Sequence, residues 1–190
     1  MIRCYPSNKS MKTTFFCISL ALSLSLPTLG QTNREIVRDS SGRLLQTIER
    51  QVGPNGQITS TTRDASGRLV QRSTTQVSPT GRATTQYRDA SGRLTGTAQS
   101  HAFGQSHNTQ FRDASGRLTG SATTRLPSQQ STQTQFRDAS GRLTGNAQTH
   151  QSGRSFSTQQ RDASGRLSAQ SSGTGIVPGR PPIPPNVPKK

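Results

Sequence analysis

The chain has 190 residues, no tryptophan, two tyrosines and two cysteines. Both cysteines, Cys4 and Cys17, fall near the start, so neither a disulfide framework nor a cysteine metal site can hold the rest together. Histidine occurs only at 101, 107 and 150, and no repeat position holds all three. Aspartate occurs only inside one recurring turn phrase, where the turn accounts for it. Nucleophile, base and orienting group cannot be assembled from such a set, and metal-ligand spacing is missing. The expectation is a protein that is not an enzyme and takes no cofactor. From residue 31 onward, Leu, Ile, Val and Phe make up 23 of 160 residues, 14%. That is below the roughly 20% under which a highly charged chain is expected to be disordered. No large apolar core is available, so any order must come from repeated strand pairing.

The longest apolar run lies from Phe15 to Leu26, preceded by Lys9 and Lys12 and followed by Pro27-Thr28-Leu29-Gly30. Basic residues, a short apolar stretch and small residues in that order are the layout of a secretory signal peptide, assigned here to 1–30. The run is shorter than the roughly 20 residues a membrane-spanning helix needs. The expected location is therefore outside the cytoplasm: secreted, periplasmic or on the cell surface. Residues 31–190 keep 21 bases against 8 acids, a net charge of +13.

What the chain does have is a phrase repeated six times, starting at Arg38, Arg63, Arg88, Arg112, Arg137 and Arg161. Five copies read Arg-Asp-Ala-Ser-Gly-Arg-Leu, and the first has Ser40 for Ala. The starts are 25, 25, 24, 25 and 24 residues apart, the mark of one supersecondary unit reused. Asp at the first turn position and Gly at the fourth suit a type I turn closed by a left-handed glycine. The turn-forming pairs are Asp64 and Gly67, Asp89 and Gly92, Asp113 and Gly116, Asp138 and Gly141, and Asp162 and Gly165. In that register Asp113 faces Arg117, Arg112 faces Leu118 and Phe111 faces Thr119, with Asp and Arg forming a favourable cross-strand pair at each turn.

A second set of turns falls halfway between copies, at 53–56, 78–81, 103–104, 127–128 and 152–153, leaving strands of about eight residues. The expected fold is all-β: an antiparallel meander of tandem 24–25-residue hairpins over 37–170, elongated or curled into an open coil or partial barrel. Residues 31–36 read as a lead-in. The Pro-rich 171–190 read as a disordered basic tail. Tyr87, Phe111 and Phe136 would align as one row, and Leu69, Leu94, Leu118, Leu143 and Leu167 as another. Neither face is apolar throughout in this register. A chain that stays disordered until it meets a partner is the alternative.

Phe111-Arg-Asp-Ala-Ser-Gly-Arg-Leu-Thr-Gly120 and its copies resemble the YD repeat of the RHS family, an aromatic-Asp followed after two residues by Gly-Arg-Leu-Thr. An Arg separates aromatic from Asp here, and Val37, Thr62 and Gln160 replace the aromatic in three copies. In that family, long arrays wind into a β-shell around a cargo. The resemblance implies β-hairpin repeats on an exported protein and carries no catalytic residue. Six copies are expected to be too few for a closed shell. A weaker similarity is to hairpin-type MORN-like repeats.

The first arginine of each phrase, at Arg63, Arg88, Arg112, Arg137 and Arg161, is expected to form a positive stripe that attracts polyanions. The candidates are anionic glycan, lipopolysaccharide, extracellular DNA and anionic lipid. Sequence-specific nucleic-acid reading is not expected, because aromatics are too few for a stacking platform. The Gln/Thr/Ser-rich strands also allow self-association, up to a curli-like fibre, although stacked arginines would repel one another. The expected role is a structural or interaction protein of the cell surface or extracellular matrix.

Overall fold

The structure is a computed structural model and describes residues 32–175 apart from 54 and 129. The region assigned to a signal peptide and most of the proline-rich tail lie outside the described residues. Twelve strands follow one another: β1 (Thr32–Asp39), β2 (Leu44–Val52), β3 (Ile58–Asp64), β4 (Leu69–Val77), β5 (Ala83–Asp89) and β6 (Leu94–Phe103). They continue as β7 (Ser106–Asp113), β8 (Leu118–Ser128), β9 (Ser131–Asp138), β10 (Leu143–Ser152), β11 (Ser155–Asp162) and β12 (Leu167–Thr174). Each pairs antiparallel with the next, and β12 pairs with β1, closing a barrel.

The phrase forms the turn its residues specify. In the fourth copy the Gly116 amide donates to the Asp113 carbonyl at 3.0 Å, and the Asp113 amide to the Arg117 carbonyl at 2.9 Å. Gly116 has φ 82°, a left-handed conformation that only glycine adopts freely. Beyond the turn the expected register fails by one residue. Arg112 does face Leu118, but Phe111 faces Gly120, so Thr119 is a β-bulge. A register shift recurs at the same place in all six hairpins. The extra residue exchanges the two faces of the outgoing strand. Gly120, Ala122 and Thr124 thereby join His107, Thr109 and Phe111 on the buried side.

Closure corrects the expectation of an open sheet. Across each hairpin the strands are level, but each hairpin is offset from the next by two residues: Gln46 faces Asp64, Gln71 faces Asp89, and Ala169 faces Asp39. Six such steps return to the starting strand with a total stagger of twelve residues, equal to the strand number. A stagger equal to the strand number corresponds to a tilt of about 36°. The bulges add bend and twist in phase at every hairpin, which brings β12 round to β1. Closure also moves the repeat boundaries. Residues 32–36, read as a lead-in, are most of β1, and 171–174, read as tail, complete β12, because both are needed for the closing ladder from Glu35–Gly173 to Asp39–Ala169.

The far-end turns explain the alternating period. After β2 and β4 the Gly53–Gln57 and Ser78–Arg82 turns repeat the three-residue geometry, whereas Phe103 faces Ser106 and Ser152 faces Ser155 across two-residue turns. Shorter turns give spacings of 24. The spacing of 25 after Arg112 comes from a bulge between Arg125 and Ser128, which also places Pro127 within β8 rather than in the turn assigned to it.

Inside the barrel, Tyr87, Ala98, Phe111, Ala122 and Phe136 form the largest apolar cluster, with smaller ones at Val52–Ile58–Ala83 and Val37–Ile48–Ala169. Hydroxyls fill the space between, paired across strands as Thr75–Thr85, Ser100–Thr109, Thr124–Thr134 and Thr149–Thr158 at 2.8–2.9 Å. Each buried hydroxyl pair satisfies groups that would be costly alone. The outer face is mostly Gln, Arg, Thr, Asn and Ser, with Leu44, Val70, Leu118 and Leu143 exposed only beside the phrase turns, unlike the continuous apolar band of a membrane-spanning barrel.

Candidate functional site

All six phrase turns lie at one end of the barrel, and the far-end turns and both ends of the described chain lie at the other. The stripe expected on a sheet is therefore a ring. Arg63, Arg88, Arg112, Arg137 and Arg161, joined by Arg38 of the first copy, are all exposed on the outer face just behind the turns. Each guanidinium is held. Its Nη1 donates to the carbonyl of the turn glycine at 2.9–3.1 Å, as in Arg112 to Gly116 and Arg63 to Gly67. Arg88 and Arg112 also donate weakly to Gln86 and Gln110, two residues earlier. One of five donors fixes the head group.

The second arginine of each phrase was expected to pair with the turn aspartate. Among the described residues no such ion pair forms. One aspartate oxygen instead accepts backbone N–H bonds across its own turn; in the second copy Asp64 Oδ1 takes the Ser66 and Arg68 amides at 2.9 Å and the Ser66 hydroxyl at 2.7 Å. The side-chain carboxylate is an internal cap, and Arg68 and its counterparts stay exposed. The end thus presents twelve exposed arginines with six half-buried aspartates turned to the backbone.

These bonds hold the carboxyls of Asp39, Asp64, Asp89, Asp138 and Asp162 below the ordinary 3.8, the serine hydroxyl being the largest cause. His107 shifts for another reason. It is buried on β7 between Ala102 and Thr124, neither ring nitrogen has a partner among the described residues, and burial lowers its pKa from 6.5. Both effects act in the same direction. An unfolded chain takes up protons at 6.5 and at 3.8 before the barrel does, so stability falls as pH drops through each. Thermal melts between pH 8 and 2 should show two stages of loss, and His107→Leu should remove only the upper one. A single acid transition unchanged by that substitution would refute the assignment.

Sequence reasoning did not find the buried pair. Glu35 on β1 and Arg50 on β2 are 1% and 5% exposed, and Arg50 Nη2 donates to Glu35 Oε2 at 2.6 Å. The available signal was that Glu35 and Glu49 are the chain's only acids outside the turns.

No family model matches the chain, and no curated protein matches it significantly. Among the described residues no group of His, Cys, Asp or Glu could hold a metal ion, and no helix is long and apolar enough to cross a membrane.

Proposed function

We propose that this chain is an exported interaction module of the cell surface or matrix that binds polyanions through the arginine ring. The observation that carries the reading is the tethered guanidinium. A side chain already fixed to its own turn loses less freedom when an anion arrives, which favours binding. Arginine is the only permanently charged base within the barrel, since all four lysines lie outside 32–175, and its fork suits phosphate, sulfate or carboxylate oxygens. Kinship with the YD repeat rests on the Gly-Arg-Leu-Thr exits at 92–95, 116–119 and 141–144. A closed wall leaves no unpaired edge, which weighs against fibre growth by strand addition.

Binding of a soluble polyanion tests it. With six arginines engaged, the log–log slope of affinity against salt should be about −5. Alanine at Arg63, Arg88, Arg112, Arg137 and Arg161 should abolish binding while the circular dichroism spectrum keeps its β form. Salt-insensitive binding would sink the electrostatic reading.

A further inference from the structure

Resting on that reading, we infer that the partner of the ring is the surface of an anionic lipid bilayer, met end-on. The ring's shape is what points there. Every hairpin is related to the next by the same step of two strands and two residues, and six steps close without remainder. The turns therefore lie at one height along the barrel axis, on a flat circle rather than a helix. At the usual strand spacing, neighbouring hairpins are about 12 Å apart, giving a rim about 70 Å around. A stiff linear polyanion laid across such a circle crosses it as a chord and meets only the hairpins where it enters and leaves. A planar array of phosphates meets all six together.

Two further features favour lipid over a soluble chain. The apex residues Ser40, Ala65, Ala90, Ala114, Ala139 and Ala163 are exposed and small, so nothing bulky holds the arginines away from a flat surface. Beside each arginine on the outer face sits a leucine, with Leu44, Leu118 and Leu143 38–40% exposed. Cationic heads next to apolar side chains match the boundary between head groups and acyl chains. β1 starts and β12 ends at the opposite end, so the described chain leaves the rim clear.

The test uses residues 31–190, which hold all twelve described strands and contain no cysteine. Co-sedimentation with phosphatidylglycerol-containing vesicles measures partitioning, with phosphatidylcholine vesicles as the neutral comparison. Each arginine near an anionic surface is worth about fivefold. Arg88→Gln, Arg112→Gln and Arg137→Gln together should therefore weaken partitioning about 100-fold. The same charge loss at the exposed far-end arginines, Arg34→Gln, Arg125→Gln and Arg154→Gln, should change it by less than about threefold. A fluorophore on Ala114→Cys should be quenched by bilayer-borne quenchers, and one on Asn55→Cys should not. Binding to soluble polyphosphate but not to vesicles overturns the bilayer inference and leaves the polyanion reading intact. Equal quenching at both labels, or equal loss in both triple variants, overturns the end-on geometry. Binding to neither overturns both readings.

Discussion

Arg50→Met should lower the unfolding free energy by about 3–5 kcal/mol, more than any exposed arginine substitution. The cost comes from what remains. Glu35 is 1% exposed, and without the guanidinium its carboxylate is left buried without its ion partner. Replacing both residues, Glu35→Leu with Arg50→Met, should recover most of the loss, because a buried pair exchanged for apolar side chains is often close to neutral. Urea denaturation of the three variants supplies the comparison. Equal losses in the single and double variants would show that the two charges are not coupled. The position sharpens the expectation: Glu35 lies between Ile48 on β2 and Gly173 on β12, on the strand that closes the wall. The single variant should therefore loosen the β1–β12 ladder first, seen as faster amide exchange there than at β6–β8.

The second large effect concerns a pairing that recurs across the repeats. Where the residue before the phrase is aromatic, its cross-strand partner is glycine: Tyr87–Gly96, Phe111–Gly120 and Phe136–Gly145. Where it is not, the partner has a side chain: Val37–Gln46, Thr62–Gln71 and Gln160–Ala169. Phe156–Gly173 follows the same rule outside the phrase. A Cβ on Gly120 would lie 2.6 Å from the Arg137 carbonyl oxygen, too close without a backbone shift. Gly120→Gln should then cost about 1–3 kcal/mol by overpacking. Phe111→Thr should cost about 2–4 kcal/mol through the space it empties in the main cluster. The Arg137 contact lies on β9 and stays when the ring is removed. The saving expected of the double variant, which recreates the Thr62–Gln71 pair, therefore comes from the Gln side chain filling the space Phe111 leaves, and should bring the cost about 1 kcal/mol below the sum. Strict additivity would show that the association of aromatic with glycine is incidental.

The local half of this architecture was legible in the residues. Asp-Ala-Ser-Gly specifies its turn through contacts within five residues, so all six hairpins and the antiparallel order could be read directly. The bulge was not, because Thr119 carries no mark distinguishing it from a paired strand residue. That single residue decided which face is inside, and without it Phe111 and Ala122 could not be assigned to one cluster. Closure was not legible either, since it depends on a two-residue offset accumulated over the whole array and on pairing of residues more than 130 positions apart, such as Glu35 and Gly173. The ring arginines were identified by number, but their tether to the turn glycine and the aspartate's role as a backbone cap follow from atomic geometry that charge counting does not contain.

The equality of stagger and strand number has a consequence for how such a protein can change size. Each phrase contributes two strands and two residues of offset, so gain or loss of a whole repeat alters both quantities in step. Tilt depends on their ratio, which stays fixed. A tandem duplication of 24 or 25 residues would widen the barrel by one hairpin, add two arginines and one aspartate to the rim, and leave every existing turn and bulge as it was. Diameter and rim charge are in this fold a matter of copy number, adjustable by unequal recombination without any new structural solution. The constraint on such growth sits at the two ends of the array, where the first and last strands must still find each other.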